Sequence, residues 1–276
     1  MSLRLSATAI TAAGALALGA CATTAPPQTV QEAALVTHME SRSIVPATAA
    51  ERRSIVHQDL LTQAAFWAEA YELNPADREA ATALARILRQ LGSTPRAIEV
   101  ARQALALFPD DSALLGAYGL ALAAEGRGQQ AIEPLTRAAQ AEPENWRLIN
   151  ALGVSLEQAG RATAARARFE EALVIAPDEP SVLSNLALSH ALEGDLDRAE
   201  PLLRRAMDHD LASAQIRQNL ALVLALQGRF PEAERIATID STPEMAEANL
   251  AYVRAMMTSP RRWDSLSEGG LRTTGY

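Results

Sequence analysis

The chain has 276 residues and a formal net charge of −8, with 49% hydrophobic but only 4% aromatic residues. That acidic balance leaves no basic stripe to neutralise phosphates and argues against a nucleic-acid partner. Cys21 is the only cysteine, which excludes an intramolecular disulfide, and a composition led by alanine and leucine favours thin, closely packed helices over a sheet.

Behind Arg4 an apolar run closes with Leu18-Gly19-Ala20-Cys21. The run is too short to span a bilayer and ends in small residues, as a cleavage site does. It resembles a bacterial lipoprotein signal, in which the cysteine is lipidated and becomes the mature N-terminus; the other reading is a lone buried cysteine. The resemblance implies that residues 1–21 are a signal peptide and that Cys21 carries the lipid. Two or three acyl chains anchor stably where one is marginal. Ala22, where aspartate would retain the protein at the inner membrane, implies the periplasmic face of the outer membrane. Residues 22–57 are rich in Thr, Ala, Pro and Ser without a sustained period, and so are expected to form a flexible tether.

From Gln58 to Leu73 an apolar helix carries Phe66, Trp67 and Tyr71 and stops before Pro75. A pattern then repeats. Gly119 is followed by Gly126, Ala131, Ala138 and Pro143, and Gly153 by Gly160, Ala165, Ala172 and Pro177, every offset being 34 residues. The same period gives a glycine column (Gly92, Gly126, Gly160, Gly194, Gly228) and an alanine column (Ala97, Ala131, Ala165, Ala199, Ala233). A small-residue column (Ala85, Gly119, Gly153, Ala187, Ala221) and a large one (Leu88, Leu122, Leu156, His190, Leu224) run beside them.

This pattern resembles the tetratricopeptide repeat, over roughly Gln58 to Met257. The resemblance implies an all-α fold: a solenoid of about five helix pairs, with an N-terminal half repeat and a C-terminal capping helix, forming one domain at residues 58–257. A helix pair cannot bury its apolar faces alone, so neighbours stack. The small residues let helix axes approach, the large column fills the gap between them, and the glycine ends each first helix. First helices are expected near Arg78–Gln90, Ser112–Ala124, Glu144–Gln158, Ser181–Leu192 and Ala214–Gln227. Pro95 and Pro231 are expected to open second helices. Pro134 and Pro201 fall inside theirs and predict a bend or a late start. Asp240 replaces a core alanine, so the fifth second helix should be short, and Pro243 should open a cap ending near Met257. Leu211 replaces a junction proline. Residues 258–276 are polar and expected to be disordered.

No catalytic pattern is present. His38, His57, His190 and His209 are scattered without metal-ligand spacing, and no phosphate-binding glycine loop or nucleophile elbow occurs. His190 stands in the interior column, where a packed histidine is the natural reading. The expectation is a non-enzymatic protein without cofactor, metal or small-molecule substrate.

The candidate site is therefore a surface. In tetratricopeptide repeats the first helices line the concave side, and spacing traces one face through Leu120, Val154, Leu188 and Leu222. In a chain this apolar, the column is also compatible with chance. Beside it lie Asn150, Ser184, Asn185, Gln218 and Asn219, with Arg147 and Gln215 as a polar rim. Asn185 and Asn219, with Asn249 beyond them, could form an amide ladder for an extended peptide backbone; ordinary helix-surface polarity fits them equally. The lysine and asparagine clamp of chaperone-binding members is not present, so a free C-terminal carboxylate is not the expected ligand.

Gln218-Asn219-Leu220-Ala221-Leu222, Gln227 through Glu234, and Ala248-Asn249-Leu250-Ala251-Tyr252 resemble the ending of the lipoprotein of tight adherence (Tad, Flp-type) pilus assembly systems. That resemblance implies a pilotin-like scaffold with an outer-membrane secretin, or another pilus assembly component, as its protein partner. The type IV pilotin, the β-barrel assembly lipoprotein and the peptidoglycan-hydrolase adaptor are competing readings built on the same repeats.

Overall fold

The computed structural model describes residues 48–208 and 213–258. The expected signal peptide with Cys21, most of the tether, His209, Leu211 and the tail lie outside the described residues. Among them, thirteen α-helices and one 3-10 turn occur, and no strand.

First helices α3 (Arg78–Gln90), α5 (Ser112–Ala124), α7 (Trp146–Gln158), α9 (Pro180–Leu192) and α11 (Ala214–Leu226) start and stop at one period. Second helices α4 (Thr94–Leu107), α6 (Gly128–Ala141), α8 (Ala162–Ile175), α10 (Leu196–Met207) and α12 (Phe230–Ala237) start at the same period. The reversal between them is built identically five times. The column glycines take φ between +73° and +85°, a region costly for any residue with a Cβ. The next backbone N–H then donates to the carbonyl of the large column: Ser93 to Leu88, Arg127 to Leu122, Arg161 to Leu156, Asp195 to His190 and Arg229 to Leu224, at 2.8–2.9 Å. These bonds satisfy carbonyls that the end of a helix would otherwise leave open.

The alanine column and its partner one helical stretch on, Ala104, Ala138, Ala172 and Ala206, have no solvent exposure at all. In the second and third repeats the facing side chain comes too close for any Cβ, and the small-residue column is glycine. A Cβ on Gly153 would lie 2.5 Å from Phe169 Cε1, and one on Gly119 2.5 Å from Leu135 Cγ. The core runs the length of the stack as two clusters that share α9, Leu186 belonging to the first and Leu183 to the second. Arginines clip repeats together at their turns: Arg137 donates to the Pro109 carbonyl (2.9 Å), and Arg205, two repeats on, to the Pro177 carbonyl (2.6 Å).

Three expectations are corrected. The tether does not extend to residue 57: α1 (Ala49–Ser54) leads into the 3-10 turn Ile55–His57, which packs on α2 (Leu60–Leu73). Thr48 and Glu51 form a reciprocal capping box, Ile55 is buried, and Arg52 stacks over Trp67 at 5.5 Å while pairing with Asp77 and Glu79. Of the bend or late start expected at Pro134 and Pro201, the late start does not occur, since their helices begin at Gly128 and Leu196 in phase with Thr94 and Ala162. Pro95 and Pro231 occupy the second helical position rather than the first.

The C-terminal end matches expectation. Helix α12 is short, and Asp240 beyond it accepts two hydrogen bonds from Arg217 at 2.6 Å each. Helix α13 (Pro243–Met257) covers the last repeat through Ala246, Leu250, Val253 and Met256, a stripe at helical spacing.

Candidate interaction surface

Successive first helices touch one another (α3 with α5, α5 with α7, α7 with α9, α9 with α11), whereas no comparable interface forms between successive second helices. The first helices therefore line the inner side of the stack. The closing of the alanine columns leaves this face as the surface that sequence alone did not assign to packing.

Leu120, Val154, Leu188 and Leu222 all lie there half-buried. Leu192, at 48% exposure, and Leu226 extend the apolar strip on α9 and α11. Arg147 is exposed and its guanidinium stacks over Trp146 at 4.4 Å, a contact that holds the cation at the rim. Gln218 is exposed and Asn150 half-buried.

The amides are arranged differently from the ladder the spacing suggested. Asn219 is only 7% exposed. Its Nδ2 donates to Ser184 Oγ at 3.0 Å, and its Oδ1 accepts from Gln215 Nε2 at 3.0 Å. Asn185 Nδ2 donates to Asn150 Oδ1, also at 3.0 Å. Each asparagine thus reaches back 35 residues and ties its helix to the preceding first helix. Ser184 is buried with Asn219, and both are withdrawn from ligand contact. Asn249 lies exposed on α13, which opens at Pro243 instead of the position 34 residues after Ala214, and so does not continue the series.

A further inner residue, Glu157, accepts from Ser189 Oγ of the next repeat at 2.7 Å. Sequence reasoning missed Arg86 and Arg89 on α3. The signal in the sequence is the period itself: Arg86 stands 34 residues before Leu120, a cation where the later repeats carry an apolar side chain. His190 is buried in the interior column, as expected.

A separate surface depression lies at the turns of the fourth and fifth repeats, lined by Asp195, Glu200, Gln227 and Arg229. There Arg229 and Arg204 share the carboxylates of Glu200 and Glu232. Hydrogen bonds from the two arginines hold the Glu232 carboxyl below the usual carboxylate range. This network is complete in itself. Among the described residues no group of His, Cys, Asp and Glu is placed to hold a metal, and no helix is long and apolar enough to cross a membrane.

Three family models, each described as tetratricopeptide repeat, match residues 78–121, 122–188 and 184–246. Solved structures of MamA are similar to the chain. One of MamA AMB-1 is 25% identical and covers 60% of this chain and 100% of its own, with a TM-score of 0.49. One of MamA MSR-1 is 26% identical and covers 53% and 84%, with a TM-score of 0.47. No curated protein matches the chain.

Proposed function

The chain belongs to the tetratricopeptide-repeat family, and from that premise we infer that its inner face is a groove for a segment of a partner protein. The observation that carries this reading is the column Leu120, Val154, Leu188 and Leu222, left half-exposed in a stack whose alanine columns are sealed. Apolar surface in a concave site, flanked by polar groups, is what a helix or an extended strand of a partner covers.

The finer reading places this scaffold on the periplasmic face of the outer membrane, held by lipid on Cys21, where it supports assembly or localisation of a Tad-type pilus secretin. It is supported by the position of Cys21 behind the apolar run and by the Asn249-Leu250-Ala251-Tyr252 ending. Leu250 packs α13 onto the stack while Tyr252 remains 59% exposed, so that ending presents both a structural and an accessible residue. The test is a pull-down with the intact chain from detergent-solubilised outer membrane. Recovery of a secretin supports the reading; recovery of β-barrel assembly machinery, a type IV pilus secretin or a peptidoglycan hydrolase assigns the scaffold to one of the competing systems instead. A Cys21→Ser variant should stay folded and leave the membrane fraction, and unchanged fractionation would rule out the lipid anchor.

A further inference from the structure

Position by position, the inner face changes character along the stack. In the third repeat Glu157 has a hydroxyl partner, Ser189, on the next first helix. The equivalent pair in the first repeat is Arg89 and Ala121, 68 residues earlier in each case. Ala121 is buried and offers no polar group. Arg89 is half-buried, and among the described residues no carboxylate pairs with it or with exposed Arg86, one turn away on the same face. Burial and the Arg86 charge lower the Arg89 pKa. Elsewhere on the stack half-buried arginines are matched: Arg52 with Asp77, Arg166 with Glu193, Arg217 with Asp240. In a chain of net charge −8, two adjacent cations without acids on a ligand-facing surface leave an electrostatic demand that the protein itself does not meet.

At the other end, the fourth and fifth repeats present Leu188, Leu192, Leu222 and Leu226 and no charge on this strip. We propose that Arg86 and Arg89 are the acid-binding end of the groove, and that its ligand is an extended partner segment with Asp or Glu side chains there and apolar side chains on the leucines of repeats four and five. First helices pack about 8–10 Å apart, so three steps from α3 to α9 span roughly 25–30 Å. An extended chain rises about 3.3 Å per residue, which sets the acidic and apolar anchors about eight residues apart. This inference rests on the reading of the inner face as a peptide groove.

The experiment is selection from a random peptide library, fused through the peptide C-termini so that no free carboxylate is offered, on the immobilised full chain. Wild type should enrich sequences that combine an acidic cluster with apolar residues at the stated separation. Arg86→Gln with Arg89→Gln should lose the acidic bias and keep the apolar one, and Leu188→Asp with Leu222→Asp should do the reverse. A synthetic copy of an enriched peptide should bind the arginine variant at least roughly tenfold more weakly at low salt, the gap closing as salt rises. The thermal midpoint of the arginine variant should be unchanged or higher, because a desolvated cation has been removed. Apolar enrichment alone on wild type, an acidic bias that survives the glutamine substitutions, or a fall in the midpoint would each overturn the inference while leaving the groove in place. No enrichment at all on wild type would overturn both.

Discussion

Replacing Gly153 by alanine sets two effects of opposite sign against each other. In a helix interior the change gains about 1 kcal/mol of propensity. The added methyl, however, would sit 2.5, 2.7 and 3.0 Å from three ring carbons of Phe169. That ring is sealed at 1% exposure and has no flexible end to swing away, so the cost falls toward the upper part of the usual overpacking range of about 1–3 kcal/mol. The net expectation is a loss of about 2 kcal/mol. Phe169→Leu alone leaves a gap and should cost about 1–2 kcal/mol. The two together should be far milder than their sum, because the new methyl enters the vacated space. The fourth repeat already carries that combination, with Ala187 and Leu203 both fully buried at the equivalent positions. Urea unfolding of the four proteins, followed by helical circular dichroism and by Trp146 fluorescence on the same helix, gives the coupling energy, expected at about 2 kcal/mol. Additive losses in the double variant would show that Gly153 is not set by the ring it faces.

Gly160→Ala meets nothing within 4 Å but must hold φ +73°, so it should cost about 1–2 kcal/mol and Gly160→Asn less, read from the same unfolding curves. Hydrogen bonding to Arg52 holds the Asp77 carboxyl below the usual range. A depressed acid stabilises above its unfolded value and loses that contribution as pH falls through the folded one. Hydrogen exchange should therefore show α1 fraying below about pH 4, and Arg52→Gln should flatten that dependence; equal acid sensitivity in both proteins would dismiss the pair. Asn219→Ala leaves Ser184 Oγ and Gln215 without their partner and should lower stability by about 1 kcal/mol. A peptide-binding defect without any loss of stability would instead return Asn219 to the ligand surface.

The repeats were legible because the same constraints act in every one: a left-handed residue at Gly126, a sealed crossing at Ala131, a close approach at Gly119. Boundaries outside the period were less so. Gln58 stands where the preceding repeat would need its glycine, so the period ends there, although the capping box of Thr48 and Glu51 inside the Thr- and Ala-rich stretch marks a helix start. On the surface, the apolar column is legible because its members recur at the 34-residue period, one on each of four first helices. The fate of Asn219 is not, since it depends on how α11 sits against α9 and brings residues 35 apart into contact. Arg86 and Arg89 are ordinary helix-surface residues in sequence; only the burial of Arg89 and the alanine opposite it make them unusual.

The backward-reaching amides also determine what kind of bond holds each seam of the stack. Asn150 with Asn185, Ser184 with Asn219 and Glu157 with Ser189 cross the inner face between repeats three, four and five, and Gln158 crosses from the third to the Ala123 carbonyl of the second at 3.0 Å. Between α3 and α5 the matching positions are Thr82 and Ala117, and the tie at this step is instead an ion pair, Arg78 Nη1 to Asp111 Oδ2 at 3.1 Å. Each step between first helices is thus tied, by a charged pair at the first and by neutral or singly charged hydrogen bonds at the others. An ion pair with one exposed partner weakens as salt screens it, whereas neutral amide and hydroxyl ties do not, so added salt acts on the first seam and leaves the spacing of the leucine strip untouched.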